Sequence, residues 1–333
     1  MKKIVAVCAL LILLLPFSGC SAAVDVKFAQ MARVLTGEYE RCVYSVEIND
    51  GKENGTVHTD ASSEMVLVFE KTADGLAKLT MDLTVTYIST PAYVLTPVNE
   101  EPRDYKDLTD TMHSEIVFNG YTDDFNPVSV NKKADLATSK KYDTEAHNRK
   151  DKSFSAQFDY PEGKTAGKGS YTNSGDETKD FSVKSKSLKN AFDNEQIYYM
   201  ASSFLRGTPD AENNAALNYS KQYKIFNLTD YCINGKGAQS VSFRVGEHPI
   251  SSYCGITGTG GAEIAEVTVS FSQGQPLNMY YSLKDRITGV KTDDNSTRIR
   301  QYLLLGYEQK TVFNSTTLAL TRFALKEYSL VNS

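Results

Sequence analysis

Four histidines, five cysteines and scattered carboxylates are the groups in this 333-residue chain that could do chemistry. Their spacing argues against most of it. His58, His113, His147 and His248 form no His-Glu-x-x-His or similar pair that would set two imidazoles on one helix face for a metal. They are expected on the surface or in turns. No Gly-x-Ser-x-Gly elbow marks a hydrolase serine. The run Gly255-Ile256-Thr257-Gly258-Thr259-Gly260-Gly261 lacks the Lys-Ser/Thr ending of a phosphate-cradling loop and reads as a flexible turn. Asp123-Asp124 and Asp293-Asp294-Asn295 offer oxygens for calcium, but without the alternating ligands and central glycine of an EF-hand they read as acidic turns. Two carboxylates for glycoside hydrolysis would come from distant strands and leave no spacing to read. The expectation is a protein without catalytic residues, metal or cofactor, and not an enzyme.

The first twenty residues carry a clearer message. Lys2 and Lys3 supply a positive end, and Ile4 to Leu15 is an uncharged apolar run. It is too short for a spanning helix of roughly twenty residues but right for an export signal. Pro16 breaks the run, and Phe17-Ser18-Gly19-Cys20 follows. This segment resembles the lipobox of bacterial lipoproteins, although Phe17 stands where leucine is commoner. The resemblance implies cleavage before Cys20 and a diacylglycerol anchor on its thiol. Acyl chains add about 0.8 kcal/mol per buried methylene, enough to hold a domain on a bilayer without a membrane-spanning helix. The expected location is the extracytoplasmic face of a bacterial membrane, in the cell envelope.

With the leader gone, the 36 Lys and Arg fall by Lys2 and Lys3 to 34, against 41 Asp and Glu, a net charge of −7. An acidic chain argues against general nucleic-acid binding. Cys42, Cys232 and Cys254 remain as an odd set, so at most one internal disulfide can form. Cys232 with Cys254 is the favoured pair because it closes a turn-rich loop; Cys42 with either, or three reduced buried thiols, stays open. Twenty tyrosines, fifteen phenylalanines and no tryptophan suit strand faces filled with medium rings rather than sugar-stacking platforms. Tyr87, Tyr198, Tyr199, Tyr280 and Tyr281 are the candidates to line an amphipathic cavity.

These residues must be positioned by strands. Val26, Phe28, Met31 and Leu35 recur near helical spacing, and alternation begins after Gly37. Cys42, Tyr44 and Val46 share one face, and Met65 to Phe69 is a second strand. Asp74-Gly75 turns into a third, where Leu79, Met81, Leu83, Val85 and Tyr87 alternate with Thr80, Asp82, Thr84 and Thr86. From about Asn131 to Lys186 the chain is polar, with short strands at Phe154 to Tyr160 and Phe181 to Val183. There Lys132, Lys133, Lys140, Lys141, Arg149, Lys150 and Lys152, interleaved with acids, read as solvated surface. Asp193 or Asn194 caps a helix over Glu195 to Arg206, with Ile197, Ala201, Phe204 and Leu205 on one face and Gly207 and Pro209 as stops. Strands follow at Gln222 to Leu228, Gln239 to Val245, Ile264 to Phe271, Leu277 to Leu283, Arg298 to Tyr307 and Thr317 to Leu330, with Gln273-Gly274-Gln275 as a hairpin turn.

The resulting fold class is mainly β (β-rich α+β): a curved antiparallel sheet or half-barrel, with an N-terminal helix and one amphipathic helix packed on it. The organisation is residues 1–19 as signal peptide, 20–36 as anchored N-terminus and short helix, and 37–333 as a β-rich domain or two subdomains. The layout, with Phe125-Asn126-Pro127-Val128-Ser129 and Asn194-Glu195-Gln196-Ile197-Tyr198-Tyr199-Met200 in its middle, resembles curved-sheet envelope lipoproteins of the LolA and LppX type and a β-rich exported family of unknown function. The resemblance implies non-catalytic binding of a hydrophobic ligand or envelope component between sheet and helix. The alternatives are surface adhesion or assembly through protein contacts and, more remotely, a hydrolase with dispersed carboxylates. The expected partners are the membrane, through the anchor, and a lipid or envelope protein.

Overall fold

The computed structural model describes residues 39–51, 55–91, 94, 103–119, 126–142, 151–161, 165–189, 191–206, 217–261, 263–313 and 316–331. Cys20, the leader, the expected N-terminal helix, Asp123-Asp124 and His147 lie outside them. The strands are β1 (Tyr39–Asn49), β2 (Glu64–Lys71), β3 (Ala77–Thr86), β4 (Thr109–Phe118), β5 (Pro127–Leu136), β6 (Phe154–Asp159), β7 (Gly167–Asn173), β8 (Lys179–Val183), β9 (Ala191–Asp193), β10 (Leu217–Phe226), β11 (Ala238–Val245), β12 (Ser252–Tyr253), β13 (Ile256–Gly258), β14 (Ile264–Phe271), β15 (Leu277–Ser282), β16 (Ile287–Thr288), β17 (Lys291–Thr292), β18 (Leu304–Phe313) and β19 (Thr316–Val331).

One sheet takes nearly all of them, in the order β8-β7-β6-β5-β4-β3-β2-β1-β19-β18-β15-β14-β11-β10-β9, with β17 beside β19. Pairings are antiparallel except β9 with β10 and β17 with β19. Period-two alternation gives the sheet a largely apolar inner face. Met65, Leu67 and Phe69 of β2 face inward beside Leu79 and Met81 of β3 and Ile116 and Phe118 of β4, all buried. The Asp74-Gly75 turn joins β2 to β3, with Gly75 at φ +83, a left-handed conformation that glycine adopts without steric penalty.

The sheet does not close into a barrel, since β8 and β9 are its two ends. It curls until β5 to β8 face β9 and β10, and that seam is joined by side chains. Phe158 of β6 meets Phe226 of β10 at 4.9 Å between ring centroids, and Phe181 of β8 meets Tyr231 at 4.4 Å. Tyr231 belongs to a short helix, Leu228–Asn234, that Asn227 caps through the N–H of Asp230 and that Gly235 ends in a left-handed turn.

Inside the curl runs the central helix, Ile197–Arg206. Asp193 and Gln196 form a capping box around the 3-10 turn Asn194–Gln196 that leads into it. Most of its residues are buried: Ile197, Tyr199, Met200, Ala201, Phe204 and Leu205 are in the core, Ser202 and Ser203 are covered too, and Tyr198 is half-buried. The helix therefore fills the curl, which goes beyond the expected packing of one face on the sheet. A small second sheet, β12-β13-β16, lies against β15, β18 and β19, where Tyr253 stacks on Tyr280 at 4.1 Å and its hydroxyl donates to the carbonyls of Tyr307 and Phe323. Among the described residues no helix is long and apolar enough to cross a membrane.

Candidate functional site

Strand alternation places Lys132 on the inner face of β5, between the buried Val130 and Ala134. Its side chain is fully buried, so its assignment to solvated surface is corrected. Lys132 Nζ donates to Asp193 Oδ1 at 3.1 Å and to Glu195 Oε2, while the hydroxyl of Tyr160 donates to Asp193 Oδ2 at 2.9 Å. Four polar groups thus clasp β5 and β6 to the lead-in of the central helix across the seam. Burial works against the Asp193 carboxylate, but the Lys132 ammonium and hydrogen bonds to Glu195, Lys132 and Tyr160 outweigh it and hold Asp193 below its ordinary value. For Glu195 burial wins over Lys132, with the neighbouring Asp193 charge adding to it, and its carboxyl is pushed up to about 8. Burial depresses the Lys132 ammonium, yet the two acids more than reverse this and raise it. Near neutral pH the clasp therefore holds one ammonium, one carboxylate and one carboxylic acid, with no net charge. Beside it in register, Ser114 of β4 keeps a buried hydroxyl with no hydrogen-bond partner among the described residues.

A second buried pair holds the helix one turn further on. Arg300 donates from Nε to Glu40 Oε2 at 2.6 Å and from an NH2 group to Oε1 at 3.1 Å, a bidentate fork. The hydroxyls of Tyr199 and Tyr328 also reach that carboxylate, at 3.4 Å each. The central helix is apolar in its packing and moored by charges at its start.

The candidate lining tyrosines are only partly brought together. Tyr198 stacks on Tyr307 with a 3.1 Å hydroxyl contact, Tyr199 packs on Phe69, and Tyr281 donates to the Tyr198 carbonyl at 2.9 Å, so two of the five belong to the central helix and a third packs on it. Tyr280 lies under Tyr253 of the small second sheet, and Tyr87 packs edge-on against Tyr105 at 5.4 Å. The space in which a guest was expected is occupied by Met200, Phe204 and Leu205, each with no exposed surface. Two open clefts of about 570 and 580 Å³ lie elsewhere, one around Cys254, Lys291 and Lys326 and one on the face of β6, β7 and β8.

The favoured disulfide does not form: Cys42, Cys232 and Cys254 are all free. Cys232 is buried on its short helix within the field of Lys132, whereas Cys254 is exposed near Arg322, Glu308 and Glu47, so the turn-rich loop between them does not bring them together. Burial raises the thiols of Cys42 and Cys232, as packed thiols require. Asp294 accepts from Thr292 and from the N–H of Ser296, an acidic turn as read. Gly260 donates its N–H to Glu263, which closes the glycine run on itself. No group of three metal-ligating side chains occurs among the described residues. His113 is an exposed partner of Asp82, as expected of a surface histidine. His58 is not at the surface: it is 6% exposed and bonded to Asp50 and Ser89.

No family model matches the chain, and no curated protein matches it. Among solved structures, the crystal structure of a β-barrel-like protein of a domain of unknown function, DUF1849, from Brucella abortus superposes with a TM-score of 0.47 at 9% identity, over 90% of this chain and 100% of that chain.

Proposed function

We propose that this chain is a lipoprotein of the bacterial envelope, anchored through Cys20, that binds a hydrophobic ligand or apolar envelope segment by exchange with its own central helix. The observation that carries this reading is the central helix itself, an apolar segment enclosed by a sheet whose seam is made of side chains. Lys132 and the unpartnered Ser114 hydroxyl would meet the polar end of such a guest.

Full-length protein taken from envelopes, extracted with organic solvent and weighed, should release about one acyl-chain molecule per chain besides the lipid on Cys20. Cys20→Ala should move the protein into the soluble fraction. Release of nothing but the anchor, with no uptake of a fluorescent fatty acid, would reject ligand binding, and membrane retention of the Cys20→Ala chain would reject the anchor. A second reading, assembly through protein contacts, is favoured by β8, which ends the sheet order and, among the described residues, pairs with β7 alone. It predicts that an envelope protein co-purifies in place of lipid.

A further inference from the structure

We infer that Ser89 is a nucleophile, activated by His58 and Asp50, for cleavage of an ester with an apolar acyl group. The three residues meet at one end of the sheet, where β1 stops and the chain leaves β3. His58 is fixed between these segments by its backbone, its N–H donating to the Ile48 carbonyl at 2.8 Å and its carbonyl accepting from Ile88 at 2.8 Å. Its ring spans the other two side chains, with Nε2 2.7 Å from Asp50 Oδ1 and Nδ1 2.8 Å from Ser89 Oγ.

The direction of these bonds follows from the groups. The hydrogen bond from His58 is the first cause holding the Asp50 carboxyl below its ordinary value, so Asp50 is ionised near neutral pH and can only accept. In the neutral imidazole the ring proton then sits on Nε2, facing Asp50, and Nδ1 keeps a lone pair to which the Ser89 hydroxyl donates. That is the polarity a general base needs, with a carboxylate fixing the tautomer and steadying the imidazolium that forms. The imidazole is almost wholly buried while Ser89 is only half-buried, so the base is desolvated and the nucleophile reachable.

Such a chain could merely staple a loop, and the reactivity of Ser89 is what separates the two. Val57 and Ile88, the residues just before His58 and Ser89, are 38% and 45% exposed, two of the three large apolar side chains exposed among the described residues. They give the segments that carry His58 and Ser89 an exposed apolar surface, which motivates an apolar acyl group as the substrate class.

In the reaction, Ser89 Oγ bonds to the ester carbonyl carbon as its proton passes to His58 Nδ1. The carbon–oxygen bond to the alcohol then breaks, and the same nitrogen returns the proton to the departing oxygen. Water loses a proton to Nδ1 and attacks the acyl-serine, and Ser89 leaves reprotonated, giving one acid and one alcohol per ester and water consumed. This site is independent of the exchange at the central helix, and the two are read at different residues.

Full-length protein treated with an alkyl fluorophosphonate and digested should carry one adduct, on Ser89, and Ser89→Ala should carry none. His58→Gln should slow both labelling and hydrolysis of a p-nitrophenyl butyrate probe by about 10²–10⁴-fold. Asp50→Asn, at a partly exposed position, should slow them at least about tenfold, and carries the test if circular dichroism shows His58→Gln unfolded. Absence of the Ser89 adduct in the folded wild-type chain, or an unchanged labelling rate in a folded His58 or Asp50 variant, would overturn the proposal.

Discussion

Lys132 is a lysine in a core position, and it stays there only because Asp193 and Glu195 meet it. Removing one partner of a buried ion pair leaves an uncompensated charge, a loss of about 3–5 kcal/mol. Lys132→Met should therefore lower stability by that amount in urea unfolding, and adding Asp193→Asn and Glu195→Gln should restore much of it. The clasp also titrates. Glu195, at about 8 when folded against an ordinary value of 4.5, holds its proton more tightly in the native state. Its contribution is complete below about pH 4.5 and gone above about 8, so stability falls as pH rises across that window, by up to about 1.4 kcal/mol per pH unit. Asp193 works oppositely but in a lower window, its contribution being complete above 3.8 and lost below it. Glu195→Gln should flatten the slope between pH 5 and 8, and an unchanged slope would assign it to other groups. Little of this was legible in sequence. Asp193 could be read as a helix cap, which it is, but its partner is 61 residues away. Likewise His58 lies 8 residues from Asp50 and 31 from Ser89, separations that no local motif encodes.

At the scale of elements, alternation was a good guide where one face is apolar. β14 runs over Ile264–Phe271 as read, and β3 and β11 fall within a few residues of expectation. The strand expected from Arg298 instead begins at Leu304. Arg300 is drawn to Glu40, and Tyr302 adopts a φ of +57, so neither can continue an extended ladder. β7 gave no signal because two of its positions are glycine, and Gly169 shows why. In the row Phe158, Gly169, Phe181, the outer two rings stack over the glycine at 5.5 Å and 5°. A Cβ at residue 169 would stand 2.6 Å from the Phe181 ring and 2.5 Å from the Gln157 carbonyl oxygen. Phe181 in turn holds Tyr231 at the seam. Gly169→Ala is expected to cost about 1–3 kcal/mol, as overpacked sites do, and to speed amide exchange in β8 and the 228–234 helix before that in β3. Uniform exchange across both would mean that Gly169 supports no local unit.

Chain length left one domain or two unresolved, and the sheet order bears directly on that choice. β19 lies between β1 and β18, with Tyr39 opposite Val331 and Asn49 opposite Leu320. The first and last described strands are thus the middle of the sheet, and the strands central in sequence, β8 and β9, are its two ends. The aromatic seam and the Lys132 clasp tie those ends together, so each half of the chain touches the other at two places. Neither half can bury its inner face alone, because the central helix packs at once on β2, through Tyr199 and Phe69, and on β11, through Phe204 and Phe243. Unfolding should accordingly be one transition, with tyrosine fluorescence and far-ultraviolet circular dichroism coinciding across the urea range. Its refolding should be slow, since the β1 to β19 ladder closes nearly the whole chain before any contact rewards it. Truncation after Phe313 removes β19, leaves β1 and β18 as open edges and should prevent folding. A truncated chain that still gave a cooperative transition, or two separate transitions in the intact protein, would show that β1 to β8 form a unit of their own.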